Sequence, residues 1–61
     1  MYEVRWWNRA NECINVGGKY SMAFDTFEDA WDAANGLLKS AVKQGAQEMS
    51  INNQYYMILD D

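Results

Sequence analysis

The chain has 61 residues, a formal net charge of −4, one cysteine (Cys13) and no histidine. This length corresponds to one small domain, residues 1–61, and the residue counts exclude an internal disulfide and a zinc site built on cysteine and histidine. Without a disulfide or a zinc site, stability must come from a core of aromatic residues, which form 15% of the chain, from self-association, or from both. The acidity disfavours nucleic acid and membrane surfaces as partners and favours basic proteins.

The first part of the chain predicts two or three strands. Residues 2–7 and 19–24 each alternate apolar and polar side chains, which is typical of half-buried strands. Residues 12–16 are a candidate for a third, short strand. The pair Gly17-Gly18 between them favours a tight turn, because glycine adopts positive φ without steric cost.

A long amphipathic helix is predicted next, from about Phe27 to Gln44. Its apolar residues recur at helical spacing and fall in an arc of about 140°. They are Phe27, Ala30, Trp31, Ala34, Leu37, Leu38, Ala41 and Val42. Thr26 is the expected N-cap, and Gly45 suits the left-handed residue beyond the C-terminus. Because Trp31 lies in the middle of the arc, we expect it to be buried against the sheet.

The end of the chain predicts a hairpin. Residues 47–51 and 55–59 are its strands, and Asn52-Asn53 is a plausible two-residue turn because asparagine tolerates positive φ. This turn places Met49 opposite Tyr56. The predicted fold is therefore α+β, with the order β-β(-β)-α-β-β. It is a single, mostly antiparallel sheet of four to five strands with one amphipathic helix packed on one face.

One helix covers only one face of such a sheet, so the other face should keep large apolar side chains. Trp6 and Trp7 must point to opposite faces, since side chains alternate along a strand. In the predicted register, Tyr55, Met57 and Leu59 point away from the helix, and one of Trp6 or Trp7 joins them, with Trp7 as the candidate. We expect them to form an exposed apolar patch that binds another protein or a second copy of the chain.

No residue pattern in the chain is typical of an enzyme. Histidine, the usual acid–base group near neutral pH, is absent, and Cys13 has no close lysine in the sequence to activate its thiol. Three aspartates, Asp25, Asp29 and Asp32, could together contact a cation, but their spacing does not match a calcium-binding loop. We therefore expect no catalysis, no cofactor and no bound metal.

The most distinctive feature is a run of four carboxylates without an intervening base: Asp25, Glu28, Asp29 and Asp32. On an ideal helix they lie opposite the apolar arc, in a patch about 10 Å long, with a spacing of the same order as that of nucleic-acid phosphates. We expect this patch to bind a basic protein surface. Alternatively, acids stabilise a helix N-terminus through its dipole, which accounts for Glu28 and Asp29 better than for Asp32.

In its small size, acidity and lack of catalytic residues, the chain resembles the small inhibitors encoded by phages and mobile elements. The anti-CRISPR proteins are the best example, and several of them act as DNA mimics. The resemblance implies a protein that binds a nucleic-acid-handling complex of the host without itself binding nucleic acid. It concerns overall character and assigns no role to any single residue.

A different class of function is a structural or assembly subunit that oligomerises through the open apolar face, for example as a homodimer. The lone cysteine is typical of a reducing compartment, and no apolar run in the chain is long enough to span a membrane. Both observations favour a cytoplasmic location, which is the host cytoplasm for a phage-encoded protein.

Overall fold

A computed structural model describes residues 1–59 of the chain, and of residues 55–58 the backbone alone. The elements are β1 (Tyr2–Trp7), β2 (Met22–Phe24), α1 (Phe27–Gly36), α2 (Leu38–Lys43), β3 (Glu48–Ile51) and β4 (Tyr55–Ile58). Both helices follow β2 and precede β3. The predicted α+β class is confirmed.

The strands form one sheet in the order β2-β1-β3-β4, and every pairing between them is antiparallel. β1 pairs with β3, and β3 with β4, over four residues each, whereas β2 adds only three residues beside β1. Along β1 the alternation buries Val4 and Trp6. Glu3 and Arg5 lie on the opposite face, where they form an ion pair at 3.0 Å.

The third strand predicted at residues 12–16 does not form. Cys13 makes an isolated bridge with Trp7, and Val16 makes another with Lys19. The two glycines between Val16 and Lys19 have positive φ values of 64° and 83°, so the predicted tight turn is confirmed. Pairing beside β1 resumes only at β2, so the strand predicted from residue 19 starts later than expected.

The helical stretch is divided into two helices, whereas a single helix was predicted. Leu37, between Gly36 and Leu38, has φ −102° and ψ 7°, outside the helical range. Nδ2 of Asn35 donates to the carbonyl oxygen of Trp31 at 2.9 Å, a side-chain bond of the kind that bends helices. Asparagine and glycine are also weak helix formers, so the pair before Leu37 explains the division.

The outer ends of the helical stretch follow the prediction. Oγ1 of Thr26 accepts a hydrogen bond from the backbone N–H of Asp29 at 3.1 Å, which satisfies one free donor of the first turn. At the other end Gly45 has φ 99°. The N–H of Ala46 donates to the carbonyl oxygen of Ala41 at 2.9 Å, which is the long hydrogen bond of a Schellman motif.

Trp31 is not buried, contrary to the prediction. The side of α1 that faces the sheet is centred on Ala30 and Ala34, both of which are 0% exposed. Trp31 lies about 80° round the helix from that centre, and it is 38% exposed. The core consists of Val4, Trp6, Val16, Ala30, Ala34, Ala41, Ala46, Met49, Ile51 and Leu59, of which Trp6 is the largest fully buried side chain.

The hairpin of β3 and β4 is shifted by one residue from the predicted register. Both residues of Asn52-Asn53 have positive φ, 55° and 57°, as expected, but Gln54 also belongs to the turn. Met49 therefore pairs with Met57 instead of Tyr56. A shift of one residue exchanges the two faces of a strand. The predicted register therefore no longer supports the assignment of β4 residues to sheet faces.

Candidate protein-binding surface

The four carboxylates predicted to bind a partner all belong to exposed residues at the start of α1. Glu28 and Asp29 lie in its first turn, and Asp32 lies one turn further along. Asp25 precedes the N-cap Thr26, which has an extended backbone, so the position of Asp25 does not follow the helical periodicity assumed above. These four residues are called the acidic face below.

The charge of the acidic face is not neutralised locally. None of its four carboxylates has an ion-pair partner within residues 1–59, and the ion pair between Arg5 and Glu3 lies on the sheet. The lysines of the helical stretch, Lys39 and Lys43, lie in α2, beyond the division at Leu37. A concentrated negative field at one end of the helical stretch favours encounter with a basic surface.

Only some of these carboxylates are explained by stability. Glu28 and Asp29 lie where a helix N-terminus offers free N–H groups and a favourable dipole. Asp32 lies past the first turn and four residues from Glu28, so the two like charges repel slightly. The helix N-terminus therefore accounts for Asp32 less well than for Glu28 and Asp29.

Next to these carboxylates, α1 presents an aromatic residue that the sequence analysis placed in the core. The ring of Trp31 stacks on that of Phe27, with centroids 6.1 Å apart and an angle of 18° between the planes. Phe27 in turn contacts the ring of Tyr2 edge-on at 5.9 Å. The sequence contains a signal for this exposure, since Glu28 and Asp32 flank Trp31 within one helical turn, although the apolar spacing alone places Trp31 in the core.

The second candidate surface is only partly described. Trp7 is half-buried, and its Nε1–H donates to Oγ of Ser50 at 3.3 Å. Leu59 is 7% exposed and belongs to the core, so its predicted place in an exposed patch is wrong. The side chains of Tyr55 and Met57 lie outside the described residues. A continuous patch of the four predicted members therefore does not form.

The described part of the chain was also compared with the requirements of a metal site, a reactive thiol and a membrane-spanning helix. Within residues 1–59, no group of three or more His, Cys, Asp or Glu side chains is placed to hold a metal ion, and this includes Asp25, Asp29 and Asp32. Sγ of the half-buried Cys13 lies 3.3 Å from the carbonyl oxygen of Tyr20, to which it donates a hydrogen bond. Neither described helix has the length and apolar character needed to cross a membrane.

A scan against models of protein families, a search of curated proteins and a search of solved structures each returned no match.

Proposed function

We propose that the chain is a non-enzymatic inhibitor that docks its acidic face on a basic surface of a nucleic-acid-handling complex. The observation that supports this proposal is the set of four exposed carboxylates without an ion-pair partner in the described chain. Surfaces that bind nucleic acid present arginine and lysine to phosphate, and the same side chains would pair with these carboxylates. The chain would then act in the host cytoplasm, in the manner of anti-CRISPR proteins that mimic DNA.

The spacing of the carboxylates suits this role. Glu28 and Asp32 are separated by about 6 Å along the axis of α1, since each residue adds 1.5 Å. This separation is of the same order as the distance between neighbouring phosphates on a nucleic-acid strand. Basic side chains spaced to contact successive phosphates could therefore contact Glu28 and Asp32 at a similar spacing.

Because these carboxylates are exposed, their field acts mainly on the rate of encounter and is screened by salt over about 8–10 Å. We therefore expect affinity for the partner to fall as the salt concentration rises, with the change mainly in the association rate.

The alternative of a subunit that assembles through the sheet has no comparable support. That reading needs an exposed apolar patch, and Leu59 is buried while the indole N–H of Trp7 is paired with Ser50. Light scattering on the purified chain tests it directly. A stable oligomer at micromolar concentration would favour the subunit over the inhibitor.

The proposal is tested by capturing proteins from a host lysate with the immobilised chain, at low and at high salt. Asp32→Lys should reduce the capture of the target, whereas Glu12→Lys should not. Both substitutions change the net charge equally at exposed positions, so Glu12→Lys is a matched control for charge alone. The captured target should lose nucleic-acid binding when the chain is added.

Two results would contradict the proposal. Direct binding of the chain to duplex DNA at low salt would oppose the charge argument. Equal capture by the Asp32→Lys and Glu12→Lys variants would move the binding surface away from α1.

A further inference from the structure

We propose that Trp31 is a platform for arginine within the acidic face, so that the partner presents a guanidinium group that stacks on its indole ring. This inference rests on the proposed function and specifies the chemistry of the partner. It starts from an exposed aromatic residue, which the carboxylates alone do not explain.

The indole ring of Trp31 is held in place from one side. Phe27 is half-buried and stacks on it at 6.1 Å and 18°, and Tyr2 supports Phe27 from the sheet. Phe27 covers part of the indole, and Trp31 as a whole is still 38% exposed. A flat aromatic surface with restricted motion loses little entropy on binding.

The core does not explain why a tryptophan occupies this position. Ala30 and Ala34 already form the side of α1 that faces the sheet, and both are fully buried. Trp31 adds a large apolar surface at the margin of the helix and leaves 38% of it exposed. Tryptophan is enriched at protein–protein interfaces and among the residues that contribute most to binding, so we infer a contact with a partner at this position.

The charges around Trp31 determine which partner group fits. On a helix, residues three apart have Cβ atoms about 5–6 Å from each other, so Glu28 is a direct neighbour of Trp31. Asp32 follows Trp31 in the chain and is also exposed. An apolar partner group over the ring would strip water from these carboxylates at a cost, whereas a cation would meet both the ring and opposite charge.

Among cations, arginine fits better than lysine. Its guanidinium is planar and weakly hydrated, so it stacks on an aromatic face and still donates hydrogen bonds in its own plane to carboxylates. The lysine ammonium is a compact and strongly hydrated charge. Lysine is therefore attracted by the carboxylates but gains less from the indole.

The experiment measures binding of octa-arginine and octa-lysine to the isotope-labelled chain by NMR titration at low salt. The wild-type chain should bind octa-arginine more tightly, with a shift of the Trp31 indole signal. Trp31→Leu should weaken octa-arginine binding by about two- to fivefold and leave octa-lysine binding unchanged. Trp31→Phe keeps a smaller ring, so its affinity for octa-arginine should lie between those of the wild type and Trp31→Leu.

Tyr20→Leu is the matched control, because Tyr20 is also an exposed aromatic residue, at 62%. It lies beside Cys13, which pairs with Trp7 at one end of β1, whereas Trp31 connects through Phe27 to Tyr2 at the other end. The control should bind both peptides as the wild type does. The amide spectrum of each variant reports whether the fold is retained.

The outcomes separate the two proposals. If Asp32→Asn weakens both peptides equally while Trp31→Leu removes the preference for arginine, both proposals are supported. Equal wild-type affinity for the two peptides, or an unchanged preference in Trp31→Leu, overturns the arginine platform and leaves the proposed function standing. Failure of both peptides to bind the wild-type chain overturns the proposed function, and the platform with it.

Discussion

The two sides of α1 differ in a way that reverses the usual distribution of residue sizes. The side that faces the sheet is centred on Ala30 and Ala34, which are fully buried, while Trp31 on the flank is 38% exposed. The bulk of this part of the core comes from the sheet, where Trp6 is 1% exposed. The comparison teaches that packing against the sheet, and not apolar spacing alone, decides which helical residues are buried: the sheet contributes large buried side chains such as Trp6, and α1 contributes alanines.

The difference also bears on what stabilises α1. α1 has ten residues, a length at which an isolated helix is marginal in water, so its packing against the sheet must stabilise it. The buried alanines and their apolar neighbours provide that packing. The outer side, with Trp31 and the carboxylates, is then free to be selected for a partner.

The largest effect is expected when the core tryptophan is truncated. Trp6→Ala should lower the free energy of unfolding by roughly 3–5 kcal/mol, which is comparable with the whole stability of a small domain. Trp31→Ala should cost roughly 1–2 kcal/mol, from the lost stacking on Phe27 and the loss of a half-covered ring. Chemical denaturation monitored by circular dichroism measures both values.

Trp6→Phe refines this comparison. The indole Nε1 of Trp6 is buried and has no hydrogen-bond partner in the described chain. Phenylalanine keeps much of the volume and removes this unpaired donor, so we expect a smaller loss than for Trp6→Ala. If Trp31→Ala destabilised the chain as much as Trp6→Ala, the contrast between the two sides of α1 would be wrong.

A smaller effect is expected when the inner side of α1 is enlarged. Ala34→Leu should cost about 1–3 kcal/mol, because the added carbons have no space between the helix and the sheet. Ala33→Leu is the control on the same helix, since Ala33 is only half-buried whereas Ala34 is fully buried. The melting temperature of the Ala34→Leu variant should therefore be clearly lower than that of the Ala33→Leu variant. Equal melting temperatures would contradict the close packing of this side.

The features of the fold that could be predicted from sequence depend on a few neighbouring residues. The cap at Thr26, the left-handed Gly45 and the turn at Gly17-Gly18 each follow from backbone chemistry that acts within four or five residues. The exposure of the acidic face was also predicted correctly, since charged residues opposite an apolar arc have no reason to be buried.

The features that were mispredicted depend on distant parts of the chain or on a single local choice. The apolar arc includes Trp31, but the packing of α1 against the rest of the core, which is built from distant parts of the chain, determines which part of the arc faces inward. The helix was predicted as continuous because periodicity is insensitive to Asn35 and Gly36, which divide it. The hairpin register changed because Gln54 joined the turn, and one residue is enough to exchange the faces of a strand.

The smallest expected effect is also the one that tests whether the outer side of α1 serves recognition. Asp32→Asn removes the repulsion between Asp32 and Glu28, so it should raise stability by roughly 0.2–0.5 kcal/mol at low salt. This gain should shrink as salt screens the pair. Asp32→Asn should at the same time weaken binding to a basic partner, because it removes a carboxylate from the acidic face. If Asp32 served stability, its substitution should lower the stability of the chain. If Asp32 serves the partner, its substitution should raise stability and weaken binding. Paired denaturation and binding measurements on this variant decide between them, and a loss of stability without a loss of affinity would assign Asp32 to the helix.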